Sequence, residues 1–261
     1  MLRSNMNIGA LGRRYIALLT MMWVFGLSAH AQMAGGGGPA GMSAALTKLF
    51  GNNTAFSAKG EMQVTNNANQ EVAFWPMDFS LLDRKIRVEI DLTQTRNKNK
   101  EMSAGMAATL KQMGMAQVVS IIRPDKGTVY VIYPDQRVML NLPLPKEDYE
   151  GSDKAPKVSK TPLGKETIDG HPCTKNKVLV TDSAGQTVEA TTWDASDLKG
   201  IPIQIETQEK DSTSLVRFKQ VQFAPPASDL FEPPSGFNQY QNPDELKLGV
   251  MKKMMDSTTK K

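Results

Sequence analysis

Outside the first thirty-one residues the chain has one imidazole and one thiol, His171 and Cys173. The order His171-Pro172-Cys173 sets them at i and i+2, on the same side of an extended strand. A Cys-His nucleophile pair would also need a third group to orient the base. A zinc site collects three or four nitrogen or sulfur ligands, and these two residues supply half of that. A turn running into a strand start is the plainer reading. Any Ser-His-Asp arrangement would have to use His171 as well. The glycines Gly35 to Gly38 have no following lysine and no preceding strand, so they form a linker and not a phosphate loop. The sequence therefore points away from an enzyme, with no catalytic residue, metal or cofactor expected.

Methionine is the remaining chemistry. Met102 and Met106 stand one helical turn apart, and soft thioethers bind copper(I). Methionine also makes adaptable apolar surface, suited to a lid or a loose core. The wider pattern favours the lid. Met102, Met106, Leu110 and Met113 form one stripe of a helix expected over residues 101–117, which Gly105 and Gly114 weaken by about 1 kcal/mol each. A second amphipathic helix is expected from Met42, Ala45, Leu46, Leu49 and Phe50, with Gly51 ending it.

These two helices must sit on a framework of strands. Ile86, Val88, Ile90 and Leu92 alternate with Lys85, Arg87, Glu89 and Asp91, which gives one apolar and one wet face. Extended segments are also expected at 55–65, 72–82, 118–123, 128–133, 137–142, 175–181, 187–193, 201–207 and 214–223. Short turns such as Asn66-Asn67, Pro124-Asp125-Lys126-Gly127, Pro134-Asp135 and Asp182-Ser183-Ala184-Gly185 separate them, so neighbours should be antiparallel. Residues 142–160, rich in proline and charge, read as a long exposed loop. A tail over 238–261 carries a helix start at Asn242-Pro243-Asp244-Glu245 and is expected to fray. The fold class is mainly β: a curved antiparallel sheet that forms an incomplete barrel and is closed by the two helices.

The N-terminus reads as an export signal. Arg3, Arg13 and Arg14 precede an apolar run from Ile16 to Leu27, and Ala29-His30-Ala31 supplies the small-x-small site for cleavage before Gln32. At about twelve residues the run is short of the roughly twenty that span a bilayer. Residues 1–31 are thus a signal peptide, 32–41 a glycine-rich linker and 42–237 a single domain, and the mature protein is expected to be soluble in the periplasm. The signal holds three of the chain's 31 basic residues and none of its 27 acidic ones, so the rest is close to neutral. A near-neutral chain lacks the basic surface that nucleic-acid binding requires. With a single cysteine no intramolecular disulfide forms, and stability must come from a core.

Four stretches carry a family resemblance. They are Val129-Tyr130-Val131-Ile132-Tyr133-Pro134, the run from Gly164 to Cys173 (GKETIDGHPC), the run from Thr191 to Ile203 (TTWDASDLKGIPI), and the ending from Asp229 to Phe237 (DLFEPPSGF). Together they resemble a bacterial family of unknown function that is itself similar to the periplasmic lipoprotein carriers of the LolA-like superfamily. The resemblance covers roughly residues 55–237. It implies an open antiparallel barrel, helices at its mouth and an apolar cavity for acyl chains. The carriers also use an arginine inside the cavity as a switch; Arg84, Arg87 and Arg123 are the candidates here.

The function expected is a non-enzymatic periplasmic carrier for a lipid or other apolar ligand. Phe74, Phe79, Ile86, Val88, Ile90, Val131 and Tyr133 would line the cavity, and Met102, Met106, Leu110, Met113, Leu46, Leu49 and Phe50 would form its lid. The same cavity residues would equally make a dry core. Each buried methylene is worth about 0.8 kcal/mol, so a fourteen-carbon chain gains roughly 11 kcal/mol over water. The alternative is a cell-envelope interaction module whose tail meets a partner protein or an anionic membrane surface.

Overall fold

The computed structural model describes residues 49–98, 100–144, 157–181 and 187–258, with no side chains given for Met251 and 253–258. The export signal, the linker, the helix residues up to 48 with Leu46, the loop at 145–156 and the turn at 182–186 lie outside the described residues.

The strands are β1 (Ala55–Asn66), β2 (Glu71–Leu82), β3 (Lys85–Asp91), β4 (Arg96–Asn97), β5 (Lys100–Glu101), β6 (Gln117–Arg123) and β7 (Thr128–Tyr133). They continue as β8 (Val138–Pro143), β9 (Lys157–Ile168), β10 (His171–Thr181), β11 (Thr187–Ala195), β12 (Ile201–Gln208), β13 (Ser212–Gln222) and β14 (Asn238–Tyr240). Two α-helices are described, α1 (Ala104–Gln112) and α2 (Pro243–Thr258). The main sheet runs in the order β14-β8-β7-β6-β3-β2-β1-β13-β12-β11-β10-β9, with the small β4–β5 hairpin attached to β2. Neighbours are antiparallel except β14, which lies parallel to β8. The sheet is curved and does not close into a barrel.

Local chemistry explains the meander. Asp83 and Arg84 both have positive φ (47° and 66°) in the two-residue turn between β2 and β3, and Asp169-Gly170 (50° and 87°) does the same between β9 and β10. Such turns match the twist of the strands they join. Register shifts at Ser57/Lys59, Val64/Thr65, Lys175/Asn176 and Trp193/Asp194 add local twist.

Residues directly opposite in register share a face. Phe56, Phe79, Val88, Ser120 and Val131 share the face that also carries Ile86, Ile90, Tyr133, Val138, Leu140 and Phe218. Phe50, entering from the 3-10 turn at 49–50, completes a cluster with Phe56, Phe79 and Phe218, with ring centroids 4.9 to 6.3 Å apart. Toward the β8 edge, Leu246 and Val250 of α2 pack on Val138 and Leu140. The reverse face has a smaller core, in which Phe231 packs on Val119, Ile121, Ile132 and Met139.

The path of the C-terminal segment links the two faces. The 3-10 turn at Ser228–Phe231 lies on the reverse face, β14 then pairs with β8, and α2 returns on the first face. The α2 start is capped by Asn242, whose Oδ1 accepts the Glu245 amide at 2.9 Å, while Glu245 accepts the Gln241 amide at 3.2 Å. This differs from a capping box in that Glu245 takes the amide of the residue before the cap and not that of Asn242 itself.

Three expectations change. The segment 142–160 is not wholly a loop, because β8 runs to Pro143 and β9 begins at Lys157. The methionine helix is shorter than 101–117: Ser103 caps it at the Met106 amide, and Gly114 (φ 63°) ends it with bonds to Lys111 and from Met115 to Leu110. This is a Schellman ending. No residue of α1 is buried, so it does not plug the sheet; the tail helix does the covering instead.

Candidate functional site

The cavity expected from sequence is mostly brought together on one face. Phe79, Ile86, Val88 and Ile90 align across β2 and β3, and Val131 and Tyr133 continue the row on β7. Phe79, Ile86 and Val88 are at most 1% exposed. Burial also pushes the Tyr133 hydroxyl above its ordinary range. In this conformation these side chains form packed core, and Val131 and Tyr133 lie against the α2 cluster. Phe74 is the exception. It stands opposite Gln63, one residue out of phase, and so faces the reverse side, where the Arg96 guanidinium stacks 3.6 Å over its ring.

Of the lid residues, Leu49 and Phe50 are 1% exposed and close the aromatic cluster. Met106 and Leu110 on α1, with Met113 at its cap, are only half-buried. Met102 precedes the capping Ser103, so its one-turn pairing with Met106 is not realised within the helix.

Open space lies beside the Leu49–Phe50 turn. A cleft of about 500 Å³ is lined by residues 49–55, Lys160 of β9, Lys199, Gly200 and Phe223. Asn53 ties its walls together: its side-chain amide donates to the Phe50 carbonyl at 3.0 Å and to the Lys199 carbonyl at 3.2 Å. Lys160 donates to the Leu49 carbonyl at 3.2 Å and to Asp194 at 2.9 Å. Asn176 donates to the same Asp194 oxygen at 3.0 Å, while the other oxygen, Oδ1, and the Thr192 hydroxyl are buried without a hydrogen-bond partner. Lys199, held in a left-handed conformation (φ 56°), sets its ammonium 4.1 Å over the Phe223 ring. Sequence reasoning missed this cleft because its residues come from four distant segments that no single motif joins.

His171 and Cys173 do not pair. His171 Nδ1 bonds Asp197 at 2.8 Å, whereas the buried Cys173 thiol donates to the His171 carbonyl. Burial raises the thiol above its ordinary value, the opposite of an activated nucleophile. Among the described residues no cluster of three or more His, Cys, Asp or Glu could hold a metal.

The arginine candidates also lie away from the first face. Arg87 donates to the Leu230 carbonyl at 2.9 Å and Arg123 to the Phe231 carbonyl at 3.0 Å, both on the reverse face. Arg84 belongs to the β2–β3 turn.

No protein-family model and no curated protein sequence matches the chain. Solved structures do match. The chain is similar to the lipoprotein LppX of Mycobacterium tuberculosis, at 13% identity over 68% of this chain and 91% of that one, with a TM-score of 0.37. A LolA superfamily protein from Nitrosomonas europaea matches at 8% identity over 72% and 94%, with a TM-score of 0.35. The Pseudomonas aeruginosa MucA/MucB complex matches at 15% identity over 73% and 60%, with a TM-score of 0.37. The superfamily anticipated from the motifs is thus among the matches. Among the described residues, no helix is long and apolar enough to cross a membrane.

Proposed function

We propose that this protein is a periplasmic, non-enzymatic carrier that binds a lipid or other apolar molecule against the first face of its sheet. The observation that supports it is what covers that face near the β8 edge. Among the described residues no second sheet packs there, and near the β8 edge the cover is a helix, α2, fastened through Leu246 and Val250. Burying two aliphatic side chains contributes about 3–6 kcal/mol. An acyl chain of about eight carbons or more, at about 0.8 kcal/mol per methylene, matches that contribution and can take the place of the helix. The row Ile86, Val88, Ile90, Val131 and Tyr133 would then become the wall of the site. Native mass spectrometry of protein purified from the envelope is expected to show a bound lipid, with uptake of N-phenyl-1-naphthylamine by the delipidated protein. A protein that is reproducibly empty and takes up no probe would sink the proposal.

A second reading has one observation in its favour. Leu248, on the same helix, is 66% exposed, and Lys252 beside it is exposed as well. An apolar residue among lysines suits an anionic bilayer surface. Flotation with phosphatidylglycerol vesicles tests this: Leu248→Glu is expected to abolish binding without loss of stability, and equal binding by both forms would exclude it.

A further inference from the structure

We infer that the cleft between Lys160 and Lys199 is a subsite for one anionic group, a carboxylate or a phosphate. The inference rests on the carrier reading in taking that group to be the polar end of the apolar ligand. Its cations differ in what they can still offer. Lys160 is committed to Asp194 and to the Leu49 carbonyl, so its charge is largely balanced. Lys199 is exposed, and its ammonium rests on the Phe223 ring, a contact that positions the charge without neutralising it. The nearest acid on its own turn, Asp197, is bonded to His171.

The cleft adds neutral hydrogen-bonding groups to that charge. Asn52 and Thr54 line it and are exposed, and Asn53 holds the walls at a fixed separation. A volume of about 500 Å³ accommodates a headgroup and not a whole lipid. Its wall residue Phe50 also belongs to the aromatic cluster, so a ligand held by its charged end at Lys199 has its chain beside the Phe50 ring. Displacing Phe50 would open a continuous path from the cleft to Phe56, Phe79 and Phe218. The charged end selects the ligand, and the chain supplies the affinity.

Two titrations of the full chain test this. In the first, 11-(dansylamino)undecanoic acid is compared with its neutral methyl ester. The acid is expected to bind about tenfold more tightly, and Lys199→Glu, shown to be folded by its urea denaturation curve, to bind acid and ester alike. Equal binding of acid and ester by the unaltered protein, or a preference that survives the substitution, overturns the inference. The second uses inorganic phosphate alone, followed by amide chemical shifts. Saturable shifts at Asn53 and Gly200 that disappear in Lys199→Glu support the anion site without any apolar chain. If those shifts occur but no apolar probe binds, the carrier reading falls and a free-anion site stands; if neither shifts nor acid preference is found, the subsite itself is refuted.

Discussion

The Arg123 guanidinium donates to the main-chain oxygen of Phe231 at 3.0 Å while holding Asp125 and Glu232 at 2.6 Å each. Its side chain is 5% exposed, and its hydrogen bonds to Asp125 and Glu232 raise its pKa further, so its charge is permanent. It fastens the C-terminal segment to the reverse face beside the Arg87 bond to Leu230. Removing it strands the buried Phe231 carbonyl and takes the partner from Asp125, while Glu232 keeps Lys126. Arg123→Met is expected to lower the unfolding free energy by about 1–3 kcal/mol, read from urea denaturation, and to make 228–237 the first site of proteolysis.

Gly249 sets two effects against each other. Alanine in a helix is favoured over glycine by about 1 kcal/mol. A methyl group at Gly249, however, would lie 2.6 Å from Cζ of Tyr240 and collide with its hydroxyl. Such an overlap moves the helix or the ring, at a typical cost of about 1–3 kcal/mol. Gly249→Ala is therefore expected to loosen α2, seen as faster hydrogen exchange across 243–250, and Tyr240→Phe combined with it should recover only part of the loss.

Acid should weaken the fold through a small set of paired carboxylates. Hydrogen bonds from Arg96 hold the buried Glu71 below its ordinary 4.5, as those from Arg123 do for Asp125 and those from Lys126 and Arg123 do for Glu232. A carboxyl depressed in the folded state contributes stability in full above its unfolded value, and that contribution is lost as pH falls through the folded one. Stability should be flat between pH 5 and about 8 and decline from about 4.5 downward. Glu71→Gln is expected to be less stable at pH 7 and to show a shallower decline between pH 5 and 3, by denaturant titration at each pH.

Phe50→Ala separates a plug from a core residue. Deleting a buried phenylalanine costs about 3–5 kcal/mol. If Phe50 gates the aromatic cluster, the same variant should also gain affinity for N-phenyl-1-naphthylamine. Phe79→Ala, in the sheet itself, should lose comparable stability without an equal gain.

How legible all this was in the sequence depended on whether an element buries one face. β3 alternates apolar and charged residues along Lys85–Asp91, and the strand expected there is the one observed. β7 was bounded correctly at both ends. β9 escaped because, along Lys157–Ile168, nearly every residue is exposed; an edge strand wet on both sides carries no period of two. Pro162 and the lysines are what an edge strand uses to discourage further pairing. Phe74 was misplaced for a related reason. A phenylalanine on a strand suggests the core, but the register, set by its neighbour Trp75 opposite Met62, turns Phe74 the other way, onto Arg96. The tail was read as fraying because its lysines outweigh Leu246 and Val250 in composition, whereas packing depends on which residues share a stripe.

Lys219 reaches Glu61 across 158 positions of chain, where β13 completes the flank of β1. A polypeptide that emerges N-terminus first, from a ribosome or a secretion channel, has made β1 long before its second neighbour exists. Non-local pairings of this kind delay folding, because loop closure must precede the contacts that reward it. The central strand thus stays half-flanked until most of the chain has emerged, and the last of the described segments to arrive, α2, is also the one that covers the apolar face near the β8 edge. Synthesis and delivery would therefore leave that face open for a time in every newly made molecule, which is when a first ligand could be taken up without displacing anything.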